Sequence, residues 1–392
     1  IYLDNSATSY KPDCVIDAIS RYYRERCASS GRGNYRKALQ VDEELAQTRE
    51  AVARFIGGSS PEEIVFTHGA TDGLNLVAVG YGERNLNPGD VVLTTRAEHA
   101  SCILPWMRAC KKTGAKLEYI PLDKDGRVDL KALAELIDER VKVIVVAHIS
   151  NVLGYVVPIR QICDLAHSVG AVVMVDGAQS VGHINVNVEE MACDFLAFSA
   201  HKMCGPTGIG ILFSTSNLMR EMNPKELGGG SNINYSENGE FFLRNPPYLF
   251  ESGTLPLAEI FGLRVCLNYL QDIGIDNIEK RIKELHAHAI ASLSDINHIQ
   301  VFNTDDETGI ITFNAQSVFA DDLAQFFDSR GICVRAGQHC SRLLAEQLGS
   351  ISTVRASIYF YNSHDEIDCF AKTCSQATNR NVYDYIFSSE RI

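Results

Sequence analysis

The chain has no CxxC pair, no excess of basic residues, no internal repeat and no apolar run long enough to cross a bilayer. Each absence removes a class of function. Thirty-six Lys and Arg stand against 49 Asp and Glu, and the net charge of −13 argues against non-specific binding to nucleic acid or to an acidic membrane. The twelve cysteines follow no regular spacing, and Cys163 and Cys266 sit in helical apolar patterns as small core residues. That usage, with no signal peptide in view, predicts reduced thiols and a cytoplasmic protein. What remains is an ordinary globular composition, 45% hydrophobic and 22% charged, in 392 residues that suffice for two domains.

Short Val- and Ile-rich runs alternate with helical patterns over the first two-thirds of the sequence. The strands read as 64–67, 91–95, 116–122, 141–148, 171–177, 194–200 and 208–213, with amphipathic stretches such as 130–141 and 159–170 between them. Continuous apolar strands separated by helices predict an α/β fold with a mostly parallel sheet covered on both faces. The Gly/Asn/Ser-rich stretch 228–241 reads as a loop or an exposed hairpin. Two long helices follow, from about residue 257 to 270 and from about 275 to 293. The rest, with strand patterns at 308–314 and 353–362 around a helix at 319–331, reads as a smaller α+β domain.

Four motifs fall at the C-terminal ends of predicted strands, where parallel sheets place their ligands. THGATDGLN (67–75) is a strand, a glycine turn and a helix start, whose free N–H groups and Thr71 hydroxyl suit a phosphate. VDGAQS (175–180) closes a strand with Asp176, which either caps a helix or pairs with a protonated heterocycle, with Gln179 in reach of the same ligand. FSAHKMCGPTGIG (198–210) sets Lys202 at the end of an apolar stretch; its ammonium either snorkels to water or is consumed in a covalent bond to an aldehyde cofactor. Ser199 and His201 beside it are further donors. EHAS (98–101) offers His99 as a surface histidine or as an imidazole stacked on an aromatic ligand. GPTGIG has the wrong spacing for a dinucleotide fingerprint.

Taken in order, DNSAT (4–8), HGATDGLN, AEHAS, HISNVLG (148–154), VDGAQS and SAHKMCGPTGIG resemble the fold-type I pyridoxal-phosphate enzymes, specifically the class V aminotransferases, over essentially the whole chain. The resemblance implies a large cofactor-binding domain over 15–260, with a small domain built from 1–14 and 261–392. It implies that Lys202 binds the cofactor aldehyde, that Asp176 pairs with the pyridinium nitrogen and that Gln179 bonds the phenolic oxygen. His99 would stack on the ring and Asn151 lie along it. Ala70, Thr71, Ser199 and His201 would hold the phosphate, while FESGTLP (250–256) would bring Gly253 and Thr254 to the phosphate of a second subunit, making a homodimer.

RAGQHCSRLL (335–344) narrows the branch. Cys340 in this polar, glycine-containing loop reads as a core cysteine, as a zinc ligand with His339 and Cys333, or as an exposed, mobile catalytic thiol. The polar neighbours disfavour the first, and the lack of a second ligand cluster disfavours the second, so no metal is expected. The stretch resembles the RxGxHC segment of cysteine desulfurases of the SUF-type or selenocysteine-lyase-like group. That resemblance implies that Cys340 accepts sulfur, that Arg355 grips the substrate carboxylate, that Arg335 supports it, and that His99 exchanges protons near the ring. The substrate would be L-cysteine, the products L-alanine and a Cys340 persulfide, and the taker of the sulfur a SUF-type acceptor or scaffold protein. Selenocysteine lyase, aminotransferase and epimerase are the alternatives. Gln338, SRLL and the histidine-free GRGNYRKA (31–38) depart from the group's usual pattern.

Overall fold

A computed structural model describes residues 1–31, 33–304 and 308–388; Arg32 of the GRGNYRKA stretch and the last four residues of the expected small domain lie outside them. Seven strands make the main sheet: β1 (Ile64–Thr67), β2 (Val91–Thr95), β3 (Lys116–Ile120), β4 (Val141–Ala147), β5 (Val172–Asp176), β6 (Phe195–Ser199) and β7 (Gly210–Ser214). Their spatial order is β1-β7-β6-β5-β4-β2-β3. The pairings from β3 across β2, β4 and β5 to β6 are parallel, and β7 alone runs against its neighbours β6 and β1.

Alternation explains why the strands are apolar throughout. In β5, Val173 and Val175 join one core while Val172 and Met174 join the other; in β6, Leu196 and Phe198 face the first core and Phe195 and Ala197 the second. Helices Arg36–Phe55, Ile159–His167 and Leu257–Ile273 cover the first face, and Ala70–Val77 and Ala100–Thr113 cover the second. With both faces buried, every strand position is selected for apolarity.

The expected helix over 130–141 is shorter, Leu130–Leu136. The Asp138 carboxylate accepts from Arg140 N (2.8 Å), a local turn that competes with the helix and lets Val141 enter β4. Residues 228–241 do contain a hairpin, β8 (Asn232–Tyr235) and β9 (Phe241–Leu243), with Ile233, Tyr235, Phe241 and Phe242 all exposed.

A second, antiparallel sheet is formed by β10 (Ile299–Val301), β11 (Ile310–Ala315), β12 (Arg335–Gly337) and β13 (Thr353–Ser357), in the order β10-β11-β13-β12. Its core combines Ile311 and Phe313 with Phe326, Phe327 and Phe370, and it takes in Leu3 from the chain's start. Leu3 N donates to Cys333 O (3.0 Å), and Ser357 N donates to Leu3 O (2.6 Å). The second sheet thereby delivers Arg355 and the segment after β12 to the C-terminal edge of the first. Cys333 forms only an isolated bridge with Tyr2, not a strand. Among the described residues no helix is long and apolar enough to cross a membrane.

Arg49, on helix Arg36–Phe55, anchors the segment that leads into the second long helix group. Its Nη1 and Nη2 lie 2.7 and 2.8 Å from the two Glu251 carboxylate oxygens, both side chains being almost fully buried, and Glu251 also accepts from Phe66 N (2.8 Å). Arg49→Ala leaves Glu251 buried and unpaired, so it should cost about 3–5 kcal/mol. A urea midpoint equal to that of the wild type would show that the pair contributes nothing net.

Candidate active site

The C-terminal ends of β1, β2, β4, β5 and β6 open into one cleft of about 230 Å³, closed on its far side by the second sheet. Asp176 is the last residue of β5. Its Oδ1 accepts from Ala178 N (2.9 Å) and its Oδ2 from the Cys102 thiol (3.4 Å), contacts that fix the carboxylate yet leave lone pairs for a cationic partner. The contact to Ala178 serves a tight turn and caps no helix. Gln179 Nε2 donates to Ser6 O (2.9 Å), tying the chain's start to the cleft wall.

β6 ends in Ser199 and passes into a single 3₁₀ turn, Ala200–Lys202. The His201 carbonyl accepts from Ser9 N (3.0 Å) and from Thr8 Oγ1 (3.1 Å), so the N-terminal segment pins this turn. Lys202 opens onto the cleft but is otherwise enclosed by protein. Desolvation lowers the pKa of its ammonium, Asp176 opposes that, and Arg355 and Arg335 add to it. Burial likewise pushes His201 down to about 4, keeping it a neutral donor.

At the opposite end of the cleft, helix Ala70–Val77 begins directly after Gly69, whose φ of 156° side-chain-bearing residues rarely adopt. Ala70 N donates to Ser199 Oγ (2.7 Å), and Thr71 Oγ1 lies 2.8 Å from Ser101 Oγ. β7 packs so closely here that a Cβ on Gly210 would lie 2.4 Å from Gly69 Cα. Hydroxyls and a helix N-terminus meet at this point, as an anion site requires.

His99 caps helix Ala100–Thr113: its Nδ1 accepts from Ser101 N (3.1 Å), which leaves Nε2 for other partners. Burial, foremost, holds its pKa below the usual histidine range, with Asp176 pulling the other way. Arg355, 3% exposed, donates from Nη1 to Asn151 O (2.7 Å) and from Nη2 to Asp4 Oδ1 (3.3 Å). Its Nε is buried without a hydrogen-bond partner among the described residues, an orphan donor that a substrate carboxylate would satisfy. Burial brings its pKa to about 10. Cys340 is exposed at the cleft, on a turn where its carbonyl accepts from Ala100 N (2.7 Å).

Ala70, Thr71, His99, Asn151, Asp176, Gln179, Ser199, His201, Lys202, Arg335, Cys340 and Arg355 thus line a single cleft. Gly253 and Thr254 do not; they border a separate cavity beside Arg49 and Glu251. No grouping of metal-ligating side chains occurs among the described residues, and His339 turns instead to Thr353, its Nε2 being 3.1 Å from Thr353 O. Sequence reasoning gave no role to Ser6, Ala7 and Ser101, which also line the cleft, nor to Glu98 behind it.

A pyridoxal phosphate fits this donor set. Lys202 would take its aldehyde, Asp176 its ring nitrogen, and Ser199, Thr71 and the Ala70 helix start its phosphate.

Glu98 ties two strand ends together behind the cleft. Its Oε1 accepts from Thr95 Oγ1 and its Oε2 from Ala147 N, both at 2.7 Å. Burial raises its pKa to about 7. The folded value lies above the unfolded one of about 4.3, so the stability that this carboxyl contributes is present in acid and lost as pH rises through about 7. Glu98→Gln removes that loss. The wild-type Tm should fall relative to the variant's between about pH 5 and pH 8; parallel curves would show that Glu98 does not titrate there.

The family model described as aminotransferase class V matches residues 1–370. A probable cysteine desulfurase of Halalkalibacterium halodurans is 42% identical over 95% of this chain and 91% of its own length. A cysteine desulfurase of Escherichia coli O127:H6 is 38% identical over 94% of this chain and 90% of its own. Among solved structures, a cysteine desulfurase from Thermococcus onnurineus in apo form superposes with a TM-score of 0.93 at 36% identity, covering 97% of this chain and 95% of that one. The chain therefore belongs to the class V aminotransferase family, in the group of the cysteine desulfurases.

Proposed function

We propose that this chain is a pyridoxal-phosphate-dependent cysteine desulfurase that converts L-cysteine to L-alanine and leaves the sulfur as a persulfide on Cys340. The observation that carries the reading is the meeting of Lys202, Asp176, Arg355 and the exposed Cys340 thiol in one cleft. An aminotransferase or epimerase needs no thiol there.

Bound in the cleft, pyridoxal phosphate would supply an electron sink for charge developing at the substrate's Cα. The residues do the rest. Arg355 holds the substrate carboxylate through its unpaired Nε edge. Lys202, its pKa lowered by desolvation, takes the Cα proton and returns a proton to carbon. Cys340, as thiolate, attacks the substrate sulfur: an S–S bond forms, the C–S bond breaks, and the electron pair left on carbon is protonated. L-Cysteine and one thiol become L-alanine and one persulfide, with no outside oxidant or reductant. His99, neutral and with Nε2 free of its cap, is suited to relaying a proton beside the ring.

The proposal extends to the assembly. Two copies would associate so that Gly253 and Thr254 serve the phosphate end of the second copy's cleft. Support comes from their position outside their own cleft and from the exposed Ile233, Tyr235, Phe241 and Phe242 of the neighbouring hairpin, an apolar surface of the kind that subunits cover. The exposure of Cys340 suits transfer of its sulfur to a SUF-type acceptor or scaffold protein in the cytoplasm, serving iron–sulfur or thio-cofactor assembly.

Lys202→Ala should lose both the visible absorbance of bound cofactor and all alanine formation, whereas Cys340→Ala should keep the absorbance and lose alanine formation. Undiminished alanine production from L-cysteine by Cys340→Ala would overturn the desulfurase reading.

A further inference from the structure

Cys340 stands on a turn in which two consecutive residues with side chains, His339 (φ 50°) and Cys340 (φ 58°), take the left-handed conformation. Such residues are strained, and they persist only where surrounding contacts over-determine them. The contacts here converge on Asn151. Its Nδ2 donates to His339 O (2.8 Å), and its Oδ1 accepts from Ser341 Oγ (3.0 Å), so one amide grips the chain on both sides of the thiol. From the other direction, His339 Nε2 lies 3.0 Å from Thr353 Oγ1 and Cys340 O accepts from Ala100 N (2.7 Å). Arg355, two residues beyond Thr353 on β13, holds Asn151 in turn through its carbonyl (2.7 Å). A closed hydrogen-bonded circuit therefore links the arginine to the thiol turn.

Burial divides this circuit in a useful way. Asn151, His339 and Ser341 are 6%, 6% and 3% exposed, so water does not compete for their hydrogen bonds, while Cys340 is exposed to the cleft. The frame is dry and the thiol is wet. Replacing Ser341 by alanine strips Asn151 Oδ1 of this donor in a buried place and lets the turn relax toward ordinary φ.

We propose that Ser341 is a positioning residue for sulfur acceptance: acting through Asn151, its hydroxyl holds the strained His339–Cys340 turn so that the thiol meets the substrate sulfur. The inference rests on the desulfurase reading above and adds a residue to it.

Ser341→Ala and Ser341→Thr are compared with wild type as full-length, cofactor-loaded enzymes, with unchanged cofactor absorbance as the check of folding. In Ser341→Ala, kcat for alanine formation should fall about three- to tenfold with KM little changed, the effect of losing one buried neutral hydrogen bond. Without substrate, alkylation of Cys340 by iodoacetamide, read on its own peptide by mass, should speed up by a similar factor as the turn loosens. Ser341→Thr, which keeps the hydroxyl, should restore both values. The clamp is refuted if Ser341→Ala matches wild type in alkylation and kcat, or if the threonine variant fails to recover them. Alkylation needs no catalysis, so a wild-type protein that made no alanine would remove the desulfurase reading while the clamp was still judged on its own measurement.

Discussion

A lysine ammonium enclosed by protein and set against a carboxylate is the constraint on which the rest of this structure depends. Desolvation disfavours the charge of Lys202, and Asp176 only partly restores it, so the group is held where it gives up its proton readily. Holding it there requires the ends of β5 and β6 to be in register, Asp176 beside Ala197, and requires β7 to fold back against Gly69 without side chains intervening. The two buried cores, alternating residue by residue along the strands, make those strand ends rigid. The N-terminal segment and the second sheet then close the cleft from the far side.

Charge is distributed along that cleft in a graded way. Asp176 stands at one end, hydroxyls and a helix start at the other, and Arg355 enters from the second sheet with Asp4 as its ionic partner. A substrate that carries a carboxylate and is attached to a phosphate-bearing cofactor is oriented by these three groups before any bond changes, which is where much of the advantage of an active site lies.

The strands and their terminal residues were legible in the sequence because Val- and Ile-rich runs stop at polar motifs, and a doubly covered sheet forces that pattern. Lys202, Asp176 and His99 could be placed on this basis alone, whereas Arg355 and Cys340 needed a resemblance over the whole chain. The partnerships were not legible. Asp4 meets Arg355 351 residues away, and Ser341 meets Asn151 190 residues away, so neither contact leaves a local trace. Glu98 stood in view beside His99, but its partner Ala147 lies 49 residues on and only the fold brings them together. The overextended helix at 130–141 has the opposite cause: apolar spacing continued past Leu136, and the Asp138 turn was stronger than the pattern.

Cys340 is where geometry and chemistry meet, an exposed thiol on a strained turn at the mouth of a cleft built for cofactor chemistry. The most direct measurement of its part is peptide mass after the wild-type enzyme has been treated with L-cysteine in the absence of reductant. The account predicts one added sulfur atom on the Cys340 peptide, removed by a thiol reductant. Alanine formed while that peptide stays unmodified, with the sulfur on another cysteine or on none, would contradict it.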